Sequence, residues 1–229
     1  GGTWITTLTH GVYYLPNGGI YQIVDNHRWK SITTNSNAVW VGSDFRAIGR
    51  YDGHRFTYKQ YPVESVRDIL IKEDNLWLAD FNGLGIINIE SDKMTGRIEN
   101  FTTQMVLKRD GGIVGVGISK DELRVWQVDA TAATNSIDYV PWKFRVLCAA
   151  MGPGDTLMLG TTHGIRLLDL STKESWAHSS YPMLNSRVED IAYVGGDTLI
   201  AATGSDGVWL LTDRKRLALD PGGKTLSKS

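Results

Sequence analysis

Asn75 to Glu90, with the sequence NLWLADFNGLGIINIE, contains the pattern that decides the fold. It consists of an apolar strand with Trp77, a tight turn around Asn82 and Gly83, and a second apolar strand. Upstream, four of the six side chains at residues 66–71 are apolar, which is typical of another short strand. A polar stretch follows downstream. One unit of four strands and their turns therefore accounts for this part of the chain.

The same unit recurs along the chain, as the counterparts of Trp77 indicate. These anchor residues follow one another at intervals of 36 to 44 residues and are Trp4, Trp40, Trp77, Val114, Met158 and Ile200. Such intervals are typical of β-propeller blades, each a four-stranded antiparallel sheet. The strand before the anchor recurs as well, as the V-x-D-I motif at residues 66–69 and 188–191. The fourth copy is weak, because it has no aromatic anchor and residues 129–136 predict a surface excursion or an irregular outer strand.

These repeats predict an all-β protein, a β-propeller of four-stranded antiparallel blades with about six repeats. Their approximate bounds are 1–28, 29–64, 65–103, 104–142, 143–185 and 186–229. One small sheet cannot bury both of its faces, so the blades must stack to form a core. The first copy opens at its anchor strand, which favours a segment of a larger propeller over a six-blade ring with one incomplete blade. An uncovered blade edge could pair with a second copy and give a homodimer.

Composition limits the partners and the chemistry of this segment. The 229 residues include 24 basic and 25 acidic side chains, so the chain lacks the basic surface that nucleic-acid binding requires. A single cysteine, Cys148, excludes an internal disulfide. The sequence has no phosphate-binding loop, no nucleophile elbow and no zinc-type histidine pair. We therefore predict no cofactor, no metal and no catalytic residue here, and no apolar run is long enough for a membrane span.

The repeats resemble a known family. The stretches LWLADFNGLGIINI, VWVGSDFRAIGRYD and LMLGTTHGIRLLDL, with the V-x-D-I strand upstream, are similar to the two-component regulator propeller repeat. In that family such units build the extracytoplasmic sensor region of bacterial membrane histidine kinases, including hybrid kinases that respond to carbohydrates. The resemblance implies a periplasmic sensing module without catalysis of its own, attached to the membrane only through its parent protein. The third copy departs from the pattern, since Asp80 stands where Thr or Ser is usual.

The predicted fold places a ligand site at the turns between the second and third strands of the blades, which gather around the axis on one face. Polar side chains there can exchange hydrogen bonds with sugar hydroxyls, and Phe45 or Phe81 offers a flat apolar face. The expected ligand is a small molecule or an oligosaccharide. The candidate binding residues are Thr7, His10, Asp44, Arg46, Asp80, Asn82, Thr162, His163, Ser205 and Asp206. The alternative for Asp44 and Asp80 is turn chemistry, in which their carboxylates bond nearby backbone N–H groups.

Two other functions stay open. Ile48-Gly49-Arg50 resembles an element of the streptogramin-lyase-like propeller enzymes, although only this copy matches it. A lyase of that type requires a His and a Glu as an acid/base pair on the binding face, whereas the acidic candidates here are Asp. The third interpretation is a scaffold propeller that binds another protein through a flat face.

Overall fold

The computed structural model describes residues 2–7, 11–16, 21–24, 28–99, 102–119, 121–129, 135–177, 186–196, 198–212, 216–219 and 225–226. Within these ranges every regular element is a β-strand, and the strands form six antiparallel sheets. The predicted all-β fold of propeller blades is therefore confirmed.

The first three sheets place consecutive strands side by side. The first contains β1 (Gly2–Thr7), β2 (Gly11–Pro16) and β3 (Tyr21–Val24). The second contains β4 (Trp29–Thr34), β5 (Val39–Ser43), β6 (Ala47–Tyr51) and β7 (Phe56–Gln60). The third contains β8 (Asp68–Lys72), β9 (Asn75–Asp80), β10 (Gly83–Asn88) and β11 (Lys93–Glu99).

The last three sheets follow the same order. The fourth contains β12 (Met105–Arg109), β13 (Gly112–Ser119), β14 (Glu122–Asp129) and β15 (Asn135–Pro141). The fifth contains β16 (Val146–Met151), β17 (Thr156–Thr161), β18 (Gly164–Asp169) and β19 (Ser175–Ala177). The sixth contains β20 (Val188–Gly195), β21 (Thr198–Thr203), β22 (Gly207–Leu211), β23 (Arg216–Leu219) and β24 (Thr225–Leu226).

The anchor residues occupy one structural position. In the second to sixth sheets each lies in the second strand, and Trp4 lies in β1 of the first sheet. The central strands β5, β9 and β17 are buried on both faces, which explains why their sequences are continuous apolar runs rather than alternating ones. Most of residues 129–136, for which a surface excursion or an irregular outer strand was expected, lie outside the described residues, and the outer strand β15 begins at Asn135.

The chain forms two compact units, residues 1–119 with 124–137 and residues 120–123 with 138–229. In the first unit, apolar side chains of neighbouring sheets pack together, and Trp77 is buried in a cluster with Leu84, Val106 and Trp126. In the second unit, Leu167, Val188 and Leu199 belong to one buried cluster with Cys148. The anchor tryptophans Trp40 and Trp77 are therefore core residues, as the sequence predicts.

Candidate functional site

The turns between second and third strands share one arrangement of hydrogen bonds. In the second, third, fifth and sixth sheets, the last residue of the second strand accepts a backbone N–H two or three positions further on. Ser43 Oγ accepts from Phe45 at 3.0 Å, Asp80 Oδ1 from Asn82 at 2.6 Å, Thr161 Oγ1 from His163 at 3.0 Å and Thr203 Oγ1 from Asp206 at 2.9 Å. We call these oxygens the turn caps. They take the place of water as hydrogen-bond partners of the turn N–H groups. These local side chains therefore fix the backbone of the turn.

Asp80 is the turn cap of the third sheet, and its side chain has no exposed surface. Its Oδ2 lies 3.0 Å from Nη1 of Arg97 on β11. The same Arg97 nitrogen donates to the carbonyl of Pro62 at 2.9 Å, and Arg97 Nε lies 3.1 Å from Glu99. The departure of the third copy from Ser or Thr thus leaves the turn geometry unchanged. The carboxylate of Asp80 is committed to the turn and to Arg97 rather than presented to solvent.

Asp44 lies in the second sheet's turn and is half-buried. Its carboxylate pairs with Lys30 and accepts a hydrogen bond from Ser65 Oγ at 2.5 Å. Burial alone raises the pKa of Asp44, but the hydrogen bonds from Lys30 and Ser65 and the charges of Lys30 and Arg28 outweigh it and hold this pKa below its usual range. Asp44 is therefore ionised and anchored at neutral pH.

Residues 65–67 connect the turns of the second and third sheets in the first unit. Ser65 bonds Asp44, and the N–H of Val66 donates to the carbonyl of Ser43 at 3.0 Å. The guanidinium of Arg67 lies 3.9 Å from the ring centroid of Phe81, a cation–π distance. Residues 65–67 therefore contact both the turn of Asp44 and the turn of Phe81 and Asn82. Next to these anchored groups, Arg46 and Asn82 are exposed.

Ser186 connects the turns of the fifth and sixth sheets in the second unit. Its carbonyl accepts the N–H of Gly164 at 3.0 Å, and its hydroxyl donates to Asp206. His163 is exposed, and its Nδ1 lies 2.9 Å from the Thr162 hydroxyl. The structure thus brings Thr162 and His163 close to Asp206, and Ser205 is exposed in the same turn as Asp206.

An aromatic and cationic group lies beside His163. The ring centroid of Phe144 is 6.2 Å from that of His163, and the guanidinium of Arg166 lies 4.0 Å from the Phe144 centroid. Trp142 packs edge-on against Phe144 at 6.0 Å. This arrangement repeats the pairing of Arg67 with Phe81 in the first unit, and it offers a flat apolar surface beside polar groups.

The structure shows little about the two remaining candidate residues, Thr7 and His10. Thr7 is the last residue of β1 and pairs with Gly11, while nothing is described of its side chain. His10 lies outside the described residues. That all of these turns contribute to one ligand site stays a prediction.

The sequence interpretation missed several residues of these turns. Ser65 and Arg67 in the first unit and Ser186 in the second belong to segments that enter the first strands of their sheets. The V-x-D-I motif starts at Val66 and at Val188, so the recurrence of this motif already marked both segments.

A His and a Glu occur near the turns of the second unit, which bears on lyase chemistry. Glu189 lies on β20 and forms an ion pair with Arg187, whose Nε is 2.5 Å from Oε1. A side chain placed at Gly204 would lie 3.3 Å from the same oxygen, so Glu189 borders the sixth sheet's turn. Because Arg187 occupies this carboxylate, it is not a free base.

Two other kinds of site are absent from the part of the chain that the structure describes. Within the described ranges, no three or more His, Cys, Asp or Glu side chains come together as a metal site would require. Within the same ranges, no helix has the length and apolar character needed to cross a bilayer.

Comparisons with known proteins bear on the fold. No family model matches the chain, and no curated protein matches it in sequence. The extracellular domain of BT3049 from B. thetaiotaomicron, assigned to a hybrid two component system, is 15% identical with a TM-score of 0.74, over 100% of this chain and 34% of that one. The extracellular domain of BT4673 from the same organism is 17% identical with a TM-score of 0.71, over 96% and 32%.

An enzyme with this fold is similar too. Virginiamycin B lyase from Staphylococcus aureus is 16% identical with a TM-score of 0.76, over 96% of this chain and 81% of that one. The chain spans about a third of the length of the two extracellular domains. At these identities the likeness shows the β-propeller fold, which these extracellular domains and the lyase share.

Proposed function

We propose that this chain is a ligand-sensing propeller module from the periplasmic part of a bacterial two-component sensor, that it detects a carbohydrate, and that it makes or breaks no bonds itself. The observation that carries the proposal is the set of turn caps. They fix the turn backbones, beside which Arg46, Asn82 and His163 present exposed polar groups. Donors and acceptors held in place in this way lose little entropy when they bind a polyhydroxylated ligand.

The similarity to two extracellular domains of hybrid two component systems supports this proposal. In such a protein the membrane-spanning part and the histidine kinase belong to other segments. The module would then signal by a shift between two conformational states. The size of the shift is set by the difference between the ligand's affinities for the two states.

Glycan binding tests the proposal directly. The 229-residue chain and its Asn82→Ala and His163→Ala variants would be titrated calorimetrically with a panel of soluble oligosaccharides. We expect binding by the unmodified chain and a loss of about tenfold or more in affinity for at least one of the two variants, since one or two hydrogen bonds disappear. His54→Ala is a matched control, because His54 is equally exposed but lies between β6 and β7. Absence of binding to every glycan, or equal binding by all the variants, would contradict the proposal.

The lyase is the second candidate, and the similarity to virginiamycin B lyase favours it. Its weakness is the ion pair of Glu189 with Arg187, which engages the carboxylate that borders the sixth sheet's turn. Incubation with virginiamycin B, followed by chromatography, separates the two functions. We expect no product, whereas turnover that His163→Ala abolishes would establish the lyase.

A further inference from the structure

An open cleft of about 390 Å³ lies between the second and third sheets of the first unit. Strands β5, β6 and β7 line one side, and residues 89–92, between β10 and β11, line the other. The turn of Asn82 joins β9 to β10, so residues 89–92 lie at the opposite end of β10 from it. None of the candidate turn residues lines the cleft, although the N–H of Tyr61 donates to the carbonyl of Arg46 at 3.0 Å. Its volume is within the usual range of small-molecule sites, about 300–1,000 Å³.

Aromatic rings and cations alternate along this cleft. The guanidinium of Arg50 lies 5.3 Å from the ring centroid of Trp40, and Nζ of Lys59 lies 5.1 Å from that of Tyr61. Trp40 and Tyr61 are buried and form a stable floor. Tyr58, by contrast, is 58% exposed and offers an accessible aromatic face.

Asp92 is held rigidly at the edge of the cleft. Lys59 Nζ donates to its Oδ2 at 2.8 Å and to its backbone carbonyl at 2.7 Å, and the Tyr61 hydroxyl donates to its other carboxylate oxygen. Burial alone raises the pKa of Asp92, but the hydrogen bonds from Lys59 and Tyr61 outweigh it and keep this pKa below its usual range. The cleft therefore contains a fixed, ionised acceptor.

Arg50 and Glu90 complete the polar lining, and both are exposed. Neither has a hydrogen-bond or ion-pair partner among the described residues. With Lys59 and Asp92 they give two positive and two negative charges, so the cleft has no net preference for a cation or an anion. Hydroxyl groups both donate and accept, and they can therefore satisfy the carboxylates and the cations together. This lining fits a neutral polyhydroxylated ligand with an apolar ring face to place on Tyr58.

We infer that this cleft binds a neutral mono- or disaccharide through Arg50, Tyr58 and Glu90. The inference goes beyond the proposed function, because it assigns a second site whose lining includes none of the candidate turn residues.

Calorimetric titration with glucose, maltose, cellobiose and lactose at millimolar concentrations tests this inference. We expect at least one of these sugars to bind the unmodified chain, and Arg50→Ala and Tyr58→Ala each to weaken that binding by about tenfold or more. Tyr139→Ala is the matched control, because Tyr139 is 57% exposed but lies on β15, and its affinity should not change. Thermal unfolding of each variant verifies that folding is unaffected.

Sugar binding by the cleft variants and by Asn82→Ala distinguishes a site in the cleft from a site at the turns. Loss of binding in Arg50→Ala and Tyr58→Ala but not in Asn82→Ala supports the cleft site. Loss only in Asn82→Ala overturns the cleft site and leaves the proposed function intact. No binding of any of the four sugars, or binding that neither cleft variant weakens, also overturns the inference.

Discussion

Arg97 Nη1 lies 3.0 Å from Oδ2 of Asp80, and this arginine is present where the turn cap is a carboxylate. Arg97 lies opposite Gly85, which lies opposite Leu78, two residues before the cap. The second, fifth and sixth sheets have hydroxyl caps, and the residues at the place of Arg97 are Tyr58, Ala177 and Ala218. Asp80 and Arg97 therefore occupy together the two positions at which those three sheets have a hydroxyl cap and an uncharged residue.

Asp80→Ala should destabilise the protein by about 3–5 kcal/mol, because it removes the cap and the buried carboxylate that pairs with Arg97. Asp80→Thr restores the cap but leaves Arg97 with only its exposed partner Glu99. The double variant Asp80→Thr with Arg97→Ala reproduces the pair found in the fifth sheet, Thr161 and Ala177, and should recover most of the stability. Urea unfolding of the three variants measures the coupling. A double variant no more stable than Asp80→Ala would show that Thr with Ala cannot replace Asp80 with Arg97 in this sheet.

Trp77→Ala should cost about 3–5 kcal/mol, since this side chain is 3% exposed and packs against Leu84 and Trp126. Trp176→Ala provides the control, because Trp176 is 41% exposed on β19 and should lose far less. Equilibrium unfolding in urea compares them. Equal losses for the two substitutions would contradict the role of Trp77 as the anchor of its sheet.

The fold could be predicted because its determinants are local. Short apolar runs and turns recur at a nearly constant spacing, and the repeated motif predicts equivalent positions for Asp68 and Asp190. The structure confirms this, because Asp68 lies opposite Ala79 and Asp190 opposite Ala202, and each accepts the N–H of the next residue at 2.9 Å.

The partners of the site residues could not be predicted in the same way, because they depend on register. Counting back from the pair Asn88 and Lys93 would place Arg97 opposite Leu84. The strands shift register between Ile86 and Ile87, so Arg97 lies opposite Gly85 instead. A shift of one residue moves a side chain to the other face of a sheet, and here it directs Arg97 to Asp80. No local pattern in the sequence indicates that bulge.

Cys148 should not react with a disulfide reagent such as DTNB in the folded protein. The thiol is buried, and burial, together with the charge of nearby Asp190, raises its pKa to about 12. At neutral pH almost no thiolate is present to attack. Ser205→Cys, which adds a thiol at an exposed turn, should react at once, and Cys148 should react only after unfolding in urea. Rapid labelling of the unmodified chain would contradict the burial of this thiol.

Asp68 should make the stability of the protein depend on pH. Burial raises its pKa to about 6, even though its carboxylate accepts the N–H groups of Val106 and Ile69. Because this pKa is above the ordinary value of 3.8, the folded state holds the proton more tightly than the unfolded state. The stabilisation is complete below about pH 4 and is lost as the pH rises through 6, an effect on the order of 3 kcal/mol. Asp68→Asn cannot ionise, so urea unfolding across this range should show the decline in the unmodified chain but not in the variant. Parallel pH profiles would mean that Asp68 titrates with an ordinary pKa, and that its contact with Val106 on the neighbouring sheet leaves the carboxylate well hydrated.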